Sequence, residues 1–189
     1  MATNERGNSR AFGDRCSNPT HSENHPEELC CTYPLLRGTE DLAEFIIQNY
    51  SGRVVEVGAG CRADVALCLL KQSDLDVVIT DKLDRGLCRL RVEKDDIFSP
   101  HPDLYAGASL LYSIRPPLEL QLAMGALARK LGADTIIRPL ADEIAELPGF
   151  TRSLINVGEA RFYLFKPASL PQDGFLKLRR PMPSPGKCH

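Results

Sequence analysis

Residues 53–64 read RVVEVGAGCRAD, a β-branched apolar run that ends in two glycines and is followed by apolar residues at helical spacing. The valines are typical of a parallel strand that is covered on both faces. Gly58 and Gly60 lack a Cβ atom, so the chain can turn sharply there and a ligand can approach the backbone. A strand, a glycine turn and a helix N-terminus together form the kind of site that binds nucleotide-like ligands.

Two classes of cofactor fit this turn. Gly58, Gly60 and Ala63 satisfy the relaxed dinucleotide-binding pattern, whose third position accepts alanine, so NAD is one candidate. Glu56, Gly58 and Gly60 look like the first motif of class I S-adenosylmethionine-dependent methyltransferases, in which the acid helps to hold the amino-acid end of the cofactor. That motif usually has a third glycine, where this chain has Arg62. A tight turn without any ligand is the third interpretation.

Length, charge and composition limit the classes of function. The chain has 189 residues and a formal net charge of −2, which suits one domain without a global basic field for nucleic acid. No apolar run approaches the ~20 residues that span a bilayer. The N-terminal region has no apolar stretch typical of a secretory signal. We therefore expect a soluble, cytoplasmic protein that contacts no membrane and keeps its cysteines reduced.

Two tails flank the predicted domain of residues 37–166. Residues 1–36 are polar, and we expect them to be mostly disordered. Residues 167–189 hold five prolines and a small basic excess, which indicates a flexible end and at most a weak contact with nucleic acid. A disordered tail also explains, more simply than a zinc site does, the possible metal ligands His21, His25, Cys30 and Cys31. No metal site is therefore predicted.

Strands and helices alternate along the domain. Helices are predicted over 40–50 (with Thr39 as the N-cap), 62–72, 84–88, 117–131 and 141–147. Strands are predicted over 53–57, 76–80, 90–93, 108–114, 134–140, 150–157 and 160–165. The last two form a hairpin, which the methyltransferase sheet has, whereas the ordinary dinucleotide fold continues with another crossover. The predicted fold is therefore an α/β, Rossmann-like, three-layer sandwich with a mainly parallel sheet and a C-terminal antiparallel hairpin.

Acidic residues follow the second and third predicted strands. Asp81 lies about 20 residues beyond the glycine turn, the usual spacing of an acid that binds ribose hydroxyls. In methyltransferases an acid after the third strand contacts the adenine amino group, and an apolar neighbour packs on the ring. Asp96 and Ile97 match those positions, with Asp95 as the alternative acid. Loop charges or helix caps are the simpler interpretation of these acids.

The fourth predicted strand ends at Arg115-Pro116-Pro117, beside the point where ligands bind in open α/β sheets. Amino-methylating enzymes often carry Asn, Asp or Ser before the two prolines. Arg115 has no hydrogen-bond acceptor, so methylation of a planar amino group by that route is not supported. Arg115 instead suits a carboxylate or phosphate of the substrate, with Arg138 as a second anion contact, and Tyr112 and Ser113 could orient the substrate. No clear general base is present, so the catalytic residue is unassigned.

These segments together resemble the small archaeal uncharacterised family UPF0146. The resemblance covers about residues 38–166 and is carried by VEVGAG at 55–60, DDIFSP at 95–100, YSIRPPLEL at 112–120 and ARFYLF at 160–165. It implies a Rossmann-like, methyltransferase-like fold and no established activity. The leading hypothesis is an S-adenosylmethionine-dependent methyltransferase of unknown acceptor. A non-catalytic nucleotide-binding module and an NAD-binding oxidoreductase are the alternatives.

Overall fold

The computed structural model describes residues 34–71, 74–83 and 90–168. The strands within these ranges are β1 (Gly52–Val57), β2 (Leu75–Asp81), β3 (Glu93–Lys94), β4 (Ala108–Ile114), β5 (Asp134–Arg138), β6 (Phe150–Val157) and β7 (Ala160–Pro167). The helices there are α1 (Thr39–Asn49), α2 (Asp64–Leu69), α3 (Pro102–Tyr105) and α4 (Leu118–Leu131). No helix of this described part is long and apolar enough to cross a membrane.

The described strands form a single sheet in the order β3-β2-β1-β4-β5-β7-β6. The β1–β2, β2–β3, β1–β4 and β4–β5 pairs are parallel, and β7 pairs antiparallel with β5 and β6. This confirms the predicted fold class. The chain first adds β2 and β3 on one side of β1. It then returns to place β4 on the other side of β1 and continues outward from there. Ligands of such sheets bind at that reversal, beyond the carboxyl ends of the strands. We call that end the carboxyl edge.

Strand β1 is buried on both faces of the sheet because helices cover each face. Its side chains alternate, so that Val54 packs toward α1 and α2 while Val55 and Val57 pack toward α4. The α1 and α2 side is filled by Leu42, Ile46, Val65, Leu69 and Phe162. The α4 side is filled by Tyr105, Met124, Ala128, Ile137 and Phe165. These two layers fix the carboxyl edge of the sheet, on which the candidate site lies.

The helix predicted over residues 141–147 does not form. Instead, the buried side chain of Gln121 forms hydrogen bonds with the backbone of this segment. Its amide N–H donates to the carbonyl of Glu143, and its amide oxygen accepts from the N–H of Ala145. Ala141 has a left-handed φ of 54°, which helical backbone does not tolerate. The segment is therefore an irregular strap across α4.

Other differences are local. Residues 102–105, for which no helix was predicted, form the short helix α3, since Pro102 suits the first turn of a helix. Gly38, with φ 73°, caps α1 in place of Thr39, whose hydroxyl is buried without a hydrogen-bond partner among the described residues. Strand β3 has only two residues and overlaps the predicted range of 90–93 at Glu93 alone. The helix predicted over 84–88, most of both tails and the four possible zinc ligands lie outside the described residues.

Candidate cofactor site at the carboxyl edge

The glycine turn after β1 depends on the absence of side chains at two positions. Gly58 and Gly60 have φ values of 68° and 63°, in the left-handed region that favours glycine. A Cβ atom on Gly58 would lie 2.9 Å from the Leu120 side chain, whereas a Cβ atom on Gly60 would meet nothing within 4 Å. Gly58 therefore permits close packing against α4, and Gly60 leaves open space above the turn.

The end of β2 holds the turn in place. The N–H groups of Gly58 and Ala59 donate to the carbonyl of Thr80 at 2.9 and 3.2 Å. The N–H of Gly60 donates to Asp81 Oδ2 at 2.7 Å, and the N–H of Leu83 donates to Asp81 Oδ1 at 2.8 Å. Gly60 and Asp81, both predicted site residues, are thus in direct contact. A carboxylate has about four lone-pair positions, so Asp81 keeps acceptor capacity beyond these two bonds.

Glu56, the acid of the glycine motif, is buried behind the turn. The hydroxyl of Tyr112 donates to Glu56 Oε2 at 2.9 Å, and the N–H of Ala66, in the first turn of α2, also donates to this carboxyl group. Burial raises the pKa of Glu56 to about 8, and these two hydrogen bonds offset only part of the rise. Glu56 is therefore a neutral group at pH 7 that joins β1 and β4 to α2, and its carboxyl group does not reach the surface of the turn.

Asp95 and Asp96 lie in different surroundings after β3. Asp96 is partly exposed and forms an ion pair with Lys82 at 2.9 Å. Asp95 is buried, and it accepts hydrogen bonds from the hydroxyl of Tyr105 at 2.6 Å and from the backbone N–H of His101 at 3.0 Å. Burial acts to raise the pKa of Asp95, but these bonds, together with the contact of His101 Nδ1 at 2.7 Å, outweigh it and hold the pKa below its ordinary value. Asp96 is thus the acid that faces the edge, and Asp95 supports the loop.

The apolar neighbour of Asp96 at the surface is Phe98. Ile97 points into the α4 side of the core and is only 8% exposed, whereas Phe98 is 63% exposed. The N–H of Phe98 donates to Asp96 Oδ1 at 3.1 Å, which fixes the two residues relative to each other. Sequence reasoning named Ile97 and missed Phe98. The alternation of inward and outward side chains along residues 95–98 is the signal that could have found it.

The end of β4 separates the three predicted substrate residues. Tyr112 and Ser113 are fully buried, and the hydroxyl of Ser113 donates to the Val57 carbonyl at 2.6 Å. Both hydroxyl groups therefore tie β4 to β1 inside the sheet. Arg115 is exposed at the carboxyl edge, and its N–H donates to the Arg138 carbonyl at 2.6 Å. Of the three, only Arg115 has an exposed side chain.

Arg62 stands where the family motif of methyltransferases usually has its third glycine. Its guanidinium pairs with Asp64 at 2.6 Å and donates to the carbonyl of Pro34 at 2.6 Å. Asp64 in turn accepts the N–H of Leu36 at 3.1 Å. Arg62 therefore clamps the segment before α1 onto the glycine turn. Cys61, in the same turn, is disulfide-bonded, so the expectation of reduced cysteines is wrong at this position.

The fold is shared with solved methyltransferase structures. A proposed methyltransferase from Escherichia coli matches with a TM-score of 0.51 at 10% identity, over 75% of this chain and 91% of that chain. A proposed S-adenosyl-L-methionine-dependent methyltransferase from Methanococcus maripaludis matches with a TM-score of 0.50 at 16% identity, over 71% of this chain and 87% of that chain. Identities this low establish the fold alone.

Sequence relatives define the family. A UPF0146 protein from Archaeoglobus fulgidus is 41% identical over 128 residues, which are 66% of this chain and 92% of that protein. A UPF0146 protein from Methanothermobacter thermautotrophicus is 42% identical over 128 residues, which are 65% of this chain and 91% of that protein. The model of the Uncharacterised protein family (UPF0146) matches residues 39–166. This chain is therefore a member of the UPF0146 family, as the resemblance in its sequence indicated.

Proposed function

We propose that the protein is an S-adenosylmethionine-dependent methyltransferase whose cofactor binds beyond the carboxyl ends of β1 and β2. The observation that carries the proposal is the hydrogen bonding of the glycine turn. A dinucleotide fold presents free backbone N–H groups there to a pyrophosphate. Here the N–H groups of Gly58, Ala59 and Gly60 already donate to Thr80 and Asp81.

Charge at the turn points in the same direction. Two basic side chains beside the turn are paired, Arg62 with Asp64 and Lys82 with Asp96. Within the described part of the chain, a pyrophosphate at the turn would therefore meet Asp81 while both of these basic side chains are already paired. S-adenosylmethionine carries a sulfonium and an ammonium group, and both are cations that suit a site of this charge. This is why we rank it above NAD.

The residues at the edge have distinct proposed roles. Gly60 leaves the space for the amino-acid end of the cofactor, and Asp81 accepts the ribose hydroxyls with its remaining lone pairs. Asp96 accepts the adenine amino group, and Phe98 offers an exposed ring for stacking on the base. Ile97 supports this pair from the core. Glu56 contributes by fixing the first turn of α2 rather than by touching the cofactor.

The acceptor would enter from the side of β4, next to Arg115. Tyr112 and Ser113 support this side of the site from within the sheet. Transfer would depend on holding the methyl donor in line with a nucleophile that already has a free lone pair. The catalytic residue stays unassigned, and a non-catalytic cofactor-binding module with the same pocket is the second candidate.

Calorimetry of the full chain with S-adenosylmethionine, S-adenosylhomocysteine and NAD tests the proposal. We expect micromolar binding of the two sulfur compounds, loss of that binding in Asp81→Ala, and no binding of NAD. Asp76→Ala is the matched control, because Asp76 lies at the other end of β2 and pairs with Arg53. NAD binding alone would overturn the proposal. Binding of S-adenosylmethionine without transfer to any acceptor would favour the non-catalytic module.

A further inference from the structure

We propose that Arg115 and Arg138 form a two-arginine oxyanion site that holds a carboxylate or phosphate group of a small acceptor. The inference rests on the proposed methyltransferase function, since it names the class of acceptor for that site. Arg115 follows β4 directly, and Arg138 is the last residue of β5. The two strands are parallel neighbours, so both arginines lie at the carboxyl edge.

The backbone places the two arginines together at a cost. Arg115 has φ 57°, a left-handed conformation that is strained for a residue with a long side chain. The hydrogen bond from its N–H to the carbonyl of Arg138 locks this turn onto β5. Pro116 and Pro117 follow and restrict the chain further. Strained backbone of this kind is concentrated at ligand-binding positions.

The charges of the two guanidinium groups are not balanced within the described part of the chain. The backbone hydrogen bond between the two residues holds them side by side, and in keeping with this, burial lowers the pKa of Arg138 and the positive charge of Arg115 lowers it further. Neither arginine forms an ion pair with a carboxylate of the described residues. An oxyanion between them would remove this repulsion.

Arg138 also has unused hydrogen-bonding capacity. Its Nη2 donates to the carbonyl of Arg37, just before α1, while its Nη1 is buried without a partner among the described residues. A guanidinium carries five N–H donors, and a buried donor without an acceptor is costly. An oxygen of a carboxylate or phosphate that enters beside Arg115 would supply the missing acceptor.

The spacing of the strands limits the size of the acceptor. Adjacent strands are ~4.8 Å apart, so the end of β5 lies roughly 10 Å from the glycine turn after β1. When the two arginines hold the anionic group of the acceptor, only a few atoms of the acceptor fit between that group and the methyl donor. The sign of the charge also changes along the carboxyl edge. Asp81 and Asp96 lie toward the cofactor, and the two arginines lie toward the acceptor. The chemistry that fits is a small molecule with an anionic group.

The test measures binding of inorganic phosphate and of malonate to the full chain by calorimetry at low ionic strength, with and without S-adenosylhomocysteine. The wild type should bind at least one of the two anions, and the tighter one identifies phosphate or carboxylate as the group recognised. Arg115→Gly should weaken that binding on the order of tenfold or more, because it removes a charged donor without straining the turn. Arg138→Lys should also weaken it, since lysine keeps the charge but loses the planar fork.

Arg129→Ala is the matched control. Arg129 lies in the last turn of α4, which is at the opposite edge of the sheet, and its replacement should leave anion binding unchanged. Equal anion affinity in the wild type and Arg115→Gly, or no binding of either anion at millimolar concentration, would overturn the inference. Binding of S-adenosylhomocysteine in those samples would leave the proposed function standing. Anion binding that depends on Arg115 without any binding of S-adenosylhomocysteine would support the arginine site and overturn the methyltransferase proposal.

Discussion

Replacing Glu56 with glutamine should change the free energy of unfolding in a pH-dependent way. The difference between the variant and the wild type should shift in favour of the variant as the pH rises from acidic to neutral. Glu56 is buried between Tyr112 and the first turn of α2, and its pKa is raised to about 8 from a value of 4.5 for the free group. Above pH 4.5 the unfolded chain releases this proton while the native chain keeps it. The contribution of Glu56 to stability is therefore fully present below that pH and is lost as the pH rises toward 8.

The size of the effect follows from the pKa difference. Each pH unit between the two values costs about 1.4 kcal/mol, so the wild type should lose about 3 kcal/mol between pH 5 and pH 7.5 relative to Glu56→Gln. Glutamine cannot titrate but can still accept hydrogen bonds from Tyr112 and Ala66. Any constant cost of its extra amide group cancels when the difference between the two proteins is followed against pH.

Urea unfolding of both proteins at pH 5, 6 and 7.5 measures this difference. Tyr112→Phe is the converse variant. It removes a hydrogen bond that lowers the pKa of Glu56, so its stability should go on falling above pH 8, where that of the wild type levels off, and a further urea series at pH 8.5 measures this. A difference between Glu56→Gln and the wild type that stays constant with pH would refute the reasoning, because it would mean that Glu56 is ionised in the native protein.

Three further outcomes are expected. Gly60→Ala should cost about 1–2 kcal/mol from its left-handed backbone, and it should weaken binding of S-adenosylhomocysteine in calorimetry because the new methyl group enters the open space; unchanged affinity would contradict the placement of the cofactor. Asp95→Asn should cost about 1–3 kcal/mol in urea unfolding at pH 7. That cost should shrink in acid, because a carboxyl group with a lowered pKa loses its contribution as the pH falls, and a pH-independent cost would argue against an ionised Asp95. Arg115→Gly should change the unfolding free energy by less than about 1 kcal/mol, since glycine accepts the backbone conformation that strains arginine; a large loss would indicate a structural role for the side chain.

The fold was predictable because its decisive signals are local. β-branched runs, glycine turns and the final hairpin signal lie within a few residues of each other, and strands β4 and β6 have the predicted bounds. The failure over residues 141–147 comes from Gln121, which lies 24 residues from Ala145 and provides the backbone of that segment with hydrogen bonds that a helix would otherwise make. No local pattern contains that information.

The contact between Gly60 and Asp81 was predictable from the sequence, but the directions of the other candidate side chains were not. The spacing from Gly60 to Asp81 gave the right pair of neighbours, since carboxyl ends of adjacent parallel strands meet at one edge. Whether Glu56 faces a ligand or α2 could not be read from β1, because a strand that is buried on both faces gives no alternating pattern. For the same reason the hydroxyls of Tyr112 and Ser113 could not be assigned to the interior from the sequence.

A crystal structure of the full chain with S-adenosylhomocysteine would test the central claim most directly. Our account predicts the homocysteine group above Gly60, the ribose hydroxyls on Asp81, and the adenine between Asp96 and the ring of Phe98. Glu56 should stay buried with its hydrogen bond from Tyr112. A ligand bound away from the ends of β1 and β2, or a glycine turn that stays empty at saturating ligand, would contradict the account.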